Sequence, residues 1–536
     1  MDRYSLLQRG LFPETLPPCF TTEDLKRALR GITPTIRSRE FRRRQADYVR
    51  YNGTKHDRSR RYFGTPHPIA YFHVADFIHN HWTTFETKFN TSPFSVSRPK
   101  VGRSTDDRAV IIPSLSELTS EASRNLGHAP YVLKTDIAQF FPSIYTHSIP
   151  WAAHGIDAAK GESAPNASSL PFNALDFFVR NCQLAETRGV LVGPDAFRLV
   201  AEFIASGIDE ALQARVGEHI VGAARHVDDF YIGLRSETDA LIVLSALREL
   251  LQRYNLNVND SKTKIMSALE PLNELWAQDL REQSRKLRQW GAGITTTGDE
   301  VILFLTRALQ LAGQLNSDSP VKIALRTFDQ IKGYTRNWWP VIEPYLQRII
   351  FHHPHCIDYA ALLVVKRFAI GESIDKEGWS AAAEELLKRH LAFNHHHEIL
   401  WLVWMLLATE QPLSADLVMA LCNNPNAHIR ALMIAAASNG HVKGRLPLRL
   451  GSRLSSQDDG WLTGLVARAT GYSGAQFSGD YADEFTHLAN RHIVLIDLDA
   501  HVRSVRAADV HAISRTRYGY DNDDDDDDYA HDDDPF

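Results

Sequence analysis

The sequence predicts an α+β domain, an all-α domain of HEAT-like helical repeats after it, and a disordered acidic tail. Three observations carry that prediction. From about residue 63 to 295, short apolar runs alternate with longer helical patterns. From 296 to about 505, helical periods follow one another across short Pro, Gly or Asn breaks, with scarcely a strand pattern among them. The last sixteen residues, Asp521 to Phe536, hold ten Asp and no Lys or Arg, a composition no core can absorb. Residues 1–62 precede these as a basic N-terminal extension, and 506–536 form the tail.

Composition narrows the classes. A chain of 536 residues with 44% hydrophobic and 23% charged residues can bury large cores, which excludes collagen-like, wholly disordered and disulfide-stapled proteins. The formal charge is −6, but without the ten tail Asp the body carries 59 − 55 = +4. Cys19, Cys182, Cys356 and Cys422 lie far apart, with no metal-ligand spacing, as in a reducing compartment. The N-terminal MDRYSLLQRGLFPE lacks the apolar core of a signal peptide, and no apolar stretch is long enough to span a bilayer. A soluble cytoplasmic protein with no membrane partner is therefore expected.

Taken in order, residues 37 to 61 are the densest basic segment, with ten Lys or Arg against Glu40, Asp47 and Asp57. Its tyrosines at 48, 51 and 62 would suit phosphate contacts with base stacking, while a solvated helix face is the plainer alternative. Residues 68 to 90 repeat apolar side chains at helical spacing. YVLKTDI (131–137) reads as a strand ending in an acid, and 174–186, 195–216 and 238–255 read as amphipathic helices. HIVGAARHVDDFYIGL (219–234) has two apolar arms around an Asp-Asp corner, the pattern of a hairpin.

The acids at these strand ends carry the chemistry. Bare carboxylates anchored by apolar neighbours cost stability unless cations compensate. Asp136 and Asp228-Asp229, brought together, could hold two divalent ions in an oxygen-only environment that suits Mg2+.

Here the sequence resembles a known family. Asp136 followed by Phe140-Phe141-Pro142-Ser143-Ile144-Tyr145 is similar to motif A of reverse transcriptases. Arg225-His226-Val227-Asp228-Asp229 is similar to motif C, with His226 where Tyr is usual. Between them, Gly189 to Pro194 followed by Arg198 resembles motif B, and Leu256-Asn257 with Lys262-Thr263 resembles motif D. The four stand in the family's order. Within the family, FFPSIYTHSIPWAAHG (140–155) and GPDAFRLVAEFIA (193–205) look like the prokaryotic abortive-infection and unknown-group enzymes of anti-phage defence, in which an α-helical repeat domain follows fingers and palm.

The resemblance implies a role for each matching residue. Asp136 and Asp228 would be the principal metal ligands, with Asp229 supporting the second ion or the primer end. Two Mg2+ are implied, with Mn2+ as a substitute. Ile137 and Phe141 would adjoin the nucleotide, Phe141 as the aromatic that blocks a ribose 2′-OH, so dNTPs are the expected substrates. Gly193 and Pro194 would shape the loop over the nascent base pair. Phe197 stands where Ser is frequent, which removes a hydrogen-bonding group there. Lys262, or Lys264 in its place, would serve the pyrophosphate leaving group. Arg98, Lys100, Arg103 and Arg108 would hold the triphosphate. The implied partners are a DNA product, an RNA or DNA template, a noncoding RNA and further copies of the chain. Tyr518, Tyr520 and Tyr529 are candidate protein primers, because some members of the clade attach DNA to themselves; otherwise the tail mimics a nucleic-acid backbone or only solubilises. The rival readings are an RNA-synthesising polymerase and a catalytically silent RNA-binding scaffold.

Other signals point elsewhere. His395-His396-His397-Glu398 and His352, His353 and His355 lack HExxH spacing and read as solvated loop histidines. Trp338, Trp339, Trp401 and Trp404 read as packing between helices, and Cys182 as a small core residue.

Overall fold

The structure, a computed structural model, describes residues 1–113, 115–270, 275–291 and 298–507. The candidate primers Tyr518, Tyr520 and Tyr529, with the rest of the Asp-rich tail, lie outside the described residues. Helices dominate, and the sheets are small. The largest has four antiparallel strands in the order β6-β7-β5-β8, where β5 is Tyr131–Asp136, β6 Ile220–His226, β7 Asp229–Leu234 and β8 Lys264–Ser267. Two-stranded ribbons join β1 (Val49–Thr54) to β2 (Arg60–Thr65) and β3 (Lys100–Val101) to β4 (Val110–Ile111).

The apolar arms around the Asp-Asp corner fold as the expected hairpin. On β7, Phe230, Ile232 and Leu234 are buried, and β6 pairs with it from Ile220 to His226. The predicted helix over 195–216 is Asp195–Val216, which buries Leu199, Phe203, Ile204 and Ile208. The helical stretch from 68 to 90 divides into Pro68–Asn80 and Trp82–Thr91. It breaks at His81, whose N–H closes on the Phe77 carbonyl at 3.0 Å while its ring stacks on Phe77. The helix expected over 174–186 stops at Asn181, because Leu184 and Ala185 adopt positive φ and turn the chain.

From Gly298 to Ala507 the described elements are helices apart from short 3-10 turns and one parallel pair, β9 (Arg453–Ser455) and β10 (Gln476–Ser478). Lys376–Ala392 packs on His396–Ala408, and Ala427–Ser438 on Trp461–Ala469. The four tryptophans at 338, 339, 401 and 404 are buried among these helices.

A single hydrophobic cluster runs from Leu6 to Val505. The first 62 residues are part of it: Leu6, Phe12, Phe20 and Tyr51 are buried, and Cys19–Thr21 exchanges backbone hydrogen bonds with Leu495 and Asp497. The basic segment is divided: Lys55 is buried, Arg37, Arg44, Arg60 and Arg61 are half-buried, and Arg39, Arg42, Arg43, Arg50 and Arg58 are exposed. Arg37 pairs with Asp76 at 2.6 Å, Arg44 lies over the Phe41 ring and bonds Glu40, and Arg60 pairs with Glu398 at 2.6 Å. Of the three tyrosines, Tyr51 is buried and only Tyr62 is strongly exposed, at 68%.

Candidate active site

Asp136 and the adjacent pair Asp228-Asp229, distant in the chain, meet at one end of the two central strands of the four-stranded sheet. Asp136 ends β5 and lies directly opposite Asp229, the first residue of β7. Opposed residues in an antiparallel pair hold their Cβ atoms about 4.5–5.5 Å apart. Asp228 sits in the turn before Asp229, and its carbonyl accepts the Ile137 N–H at 3.2 Å. Asp136 and Asp228 are buried, and Asp229 is half-buried.

The turn is tight. His226 pairs with Asp229, leaving only Val227 and Asp228 to reverse the chain, and Val227 adopts φ +53°. That region is rare for a β-branched side chain and stores strain that neighbouring contacts must hold. The Val227 N–H donates to Ser97 Oγ at 2.9 Å, and Arg225 Nη1 donates to the Val227 carbonyl at 2.6 Å. Arg225 is fully buried and also donates to Asp209 and Glu202 of the helix Asp195–Val216 at 2.8–3.1 Å. Burial alone would lower its pKa; the two carboxylates outweigh this and hold it above the usual range. His226 is buried too, with Nε2 facing the Pro113 carbonyl at 2.8 Å, and burial lowers its pKa, so the ring is neutral near pH 7.

On the other side of Asp136, Asn259 donates its N–H to the Asp136 carbonyl at 3.0 Å, and Lys262 Nζ stands 3.4 Å from Asp136 Oδ2. Thr135 and Thr263 share a hydroxyl contact of 2.8 Å. The stretch read as motif D is thus folded onto the end of β5. Lys264 opens β8 opposite Lys134 and is exposed.

Phe141, buried in the short helix Phe140–Ser143, accepts the Val190 N–H at its carbonyl at 3.0 Å, which ties this turn to the loop Gly189–Pro194. Gly193 is needed there for two reasons: φ is +111°, and a Cβ would fall 2.7 Å from Pro13 Cβ. The space beside Gly193 belongs to the N-terminal segment. Arg108 is bound into the same place: its Nη1 donates to the Phe12 carbonyl at 2.8 Å and its Nη2 to the Gly193 carbonyl at 3.0 Å, and the guanidinium pairs with buried Asp195. Arg108, which the resemblance would place on a triphosphate, bonds here around the loop at Pro194. Arg98, Lys100 and Arg103 are exposed, with Arg98 donating to the Ser92 carbonyl at 3.0 Å and Arg103 paired with Asp106 at 3.1 Å.

Residues 54–295 match the family described as reverse transcriptase (RNA-dependent DNA polymerase), rather less than half of the chain. These residues are a reverse transcriptase domain. No curated protein matches the chain. Among matching solved structures are telomerase from Candida albicans in complex with a fragment of telomeric RNA and apo telomerase from Candida tropicalis. The first is 13% identical with a TM-score of 0.28 over 70% of this chain and 69% of that one. The second is 12% identical with a TM-score of 0.29 over 75% and 71%. Scores this low establish no common arrangement of the whole chain.

Polar groups far apart in the sequence fasten the start of the reverse transcriptase domain, and Tyr51 just before it, to the helices that follow. Glu398 is buried and receives Arg60 Nη1 at 2.6 Å and the Thr54 hydroxyl; Tyr51 meets His397 Nδ1 at 2.5 Å, and His355 Nδ1 meets the Thr54 carbonyl at 2.8 Å. The histidines read as solvated are thus in part interior: His355 and His397 are buried, as is the neighbouring His390, and burial lowers His390 and His397 to about 4, leaving both neutral. His390, His395 and Glu398 come close enough to share a metal ion, with the two Nδ1 atoms 3.0 Å apart. Both Glu398 oxygens already face the Arg60 guanidinium, whose charge opposes a second cation, so the cluster serves as a junction. Among the described residues no helix is long and apolar enough to cross a membrane.

Proposed function

We propose that this chain is a DNA polymerase of anti-phage defence, adding deoxynucleotides to a 3′ or protein hydroxyl with release of pyrophosphate. One observation carries the reading: Asp136 opposite Asp229, with Asp228 in the turn between strands. An all-oxygen carboxylate set fits hard divalent ions, and Asp136, Asp228 and Asp229 would hold two Mg2+, or Mn2+ in their place. Such ions supply a more acidic attacking hydroxyl and neutralise charge on the leaving phosphate. The side chains would do the rest. Lys262, beside Asp136, would deliver a proton or a charge to the pyrophosphate. Phe141 would stand against a 2′-OH and select dNTPs, and Ile137, next to Asp136, would offer backbone to the nucleotide. Arg98, Lys100 and Arg103 would draw in the triphosphate from the solvent side.

The finer reading extends to the clade. The stretches 140–155 and 193–205 support membership of the abortive-infection and unknown-group enzymes, and the helices after Gly298 support a HEAT-like repeat region that cradles product or joins copies of the chain. Template choice lies between a noncoding RNA, another RNA or DNA, and none. Tyr518, Tyr520 or Tyr529 would serve as protein primer, in the cytoplasm.

The deciding experiment compares wild type with Asp228→Ala and Asp136→Asn for incorporation of deoxy- and ribonucleotides and for phage plaque counts. Incorporation should fall by a factor on the order of 10³, and protection should fall with it. Protection that survives lost synthesis would replace the polymerase with a scaffold.

A further inference from the structure

The turn that carries Asp228 is strained, and its two restraints converge on one carboxylate. Val227 holds φ +53°. Its N–H is received by Ser97 Oγ at 2.9 Å, and that hydroxyl donates onward to Glu202 Oε2 at 3.1 Å. Its carbonyl accepts from Arg225 Nη1 at 2.6 Å, and the same guanidinium donates to Glu202 Oε1 through Nη2 at 2.8 Å. Both ends of the Val227 peptide are therefore referred to a buried Glu in the helix that follows the Gly193 loop. Asp209, one helix segment further on, fixes the guanidinium plane through Nε at 2.9 Å and is itself held by Ser92 Oγ at 2.6 Å. The side chains of Ser92, Ser97, Glu202, Asp209 and Arg225 are buried, and Val227 is half-buried.

We propose that Ser97, Glu202 and Arg225 form a positioning clamp that sets the direction of the Asp228 carboxylate toward a divalent cation. The clamp rests on the reading of Asp228 as a cation ligand. Its members touch neither nucleotide nor ion. They act through the backbone of Val227, which without them would relax toward φ values that a β-branched residue prefers and would swing the next residue's side chain. The clamp also joins three parts of the reverse transcriptase domain: the segment Ser92–Ser97, the helix Asp195–Val216 and the hairpin of β6 and β7. A displacement of the loop at Gly193, the start of that helix, would be felt at Asp228.

The test is calorimetric titration of the full chain with MnCl2 alone, alongside thermal melts without metal. Ser97→Ala removes one hydroxyl and leaves a buried N–H without its acceptor; it should weaken Mn2+ binding roughly tenfold, the weight of one lost buried hydrogen bond. Ser97→Thr keeps the hydroxyl and should bind as wild type. Adding Val227→Gly to Ser97→Ala should recover most of the loss, because glycine takes φ +53° without strain. A merely structural Ser97 would lower the melting midpoint without this recovery of affinity. Unchanged Mn2+ affinity in Ser97→Ala, or no recovery with Val227→Gly, would overturn the clamp. Asp228→Asn separates the two claims: if it binds Mn2+ like wild type, the ligand reading itself fails; if it loses binding while Ser97→Ala keeps it, only the clamp fails.

Discussion

Glu398→Gln tests how firmly the reverse transcriptase domain is tied to the helices beyond it. Burial would raise the Glu398 carboxyl above its usual 4.5, but hydrogen bonds and charge from Arg60 outweigh burial and hold it at about 2. A folded-state pKa lowered from 4.5 to about 2 corresponds to about 3 kcal/mol of stability. That contribution is complete well above pH 4.5 and is lost as the pH falls toward 2. By the same linkage most of it remains at pH 4 and less than half at pH 3. Gln keeps the shape and loses the charge, so the difference between wild type and variant should shrink along this curve. The loss of the carboxylate from Arg60 is part of this same difference, since the lowered pKa already contains the attraction between the two. The assay is urea unfolding of both proteins at pH 7, 4 and 3, with tryptophan fluorescence as the readout, since Trp401 lies one turn along the same helix. A gap below about 1 kcal/mol at pH 7, or one that does not narrow toward pH 3, would refute the account of Arg60 and Glu398 as a buried ionised pair.

Three further outcomes are expected. Phe141→Ala should raise ribonucleotide incorporation relative to deoxynucleotide on the order of tenfold to a hundredfold, measured as the ratio of kcat/KM values. Gly193→Ala should cost about 1–3 kcal/mol and slow synthesis, since its Cβ would press on Pro13; melting and incorporation are measured together. Arg108→Ala should lower stability by about 3 kcal/mol or more in the absence of nucleotide, by stranding buried Asp195. A variant that melts like wild type and changes only the KM for nucleotide would return Arg108 to the triphosphate.

Much of the domain could be read before folding. The two apolar arms of 219–234 required a hairpin with the Asp-Asp pair at its corner, because buried strands on both sides leave only the turn for the acids. The helix Asp195–Val216 followed from its apolar spacing in the same way. Arg108 and the histidines near 397 could not be read so. An arginine in a basic run looks the same whether it faces phosphate or a carboxylate brought from elsewhere in the chain, and His355 beside Pro354 gives no sign that Thr54 will cover it.

The order of acids, glycine and lysine along the chain, and the strands and helices that carry them, were set by local periodicity and turn chemistry. Only the folded molecule decided where the charges went. Arg60 and Glu398 are 338 positions apart, and Val227 is restrained from a serine 130 positions earlier. Hydrogen bonds and Coulomb forces depend on distance through space, which the folded core sets.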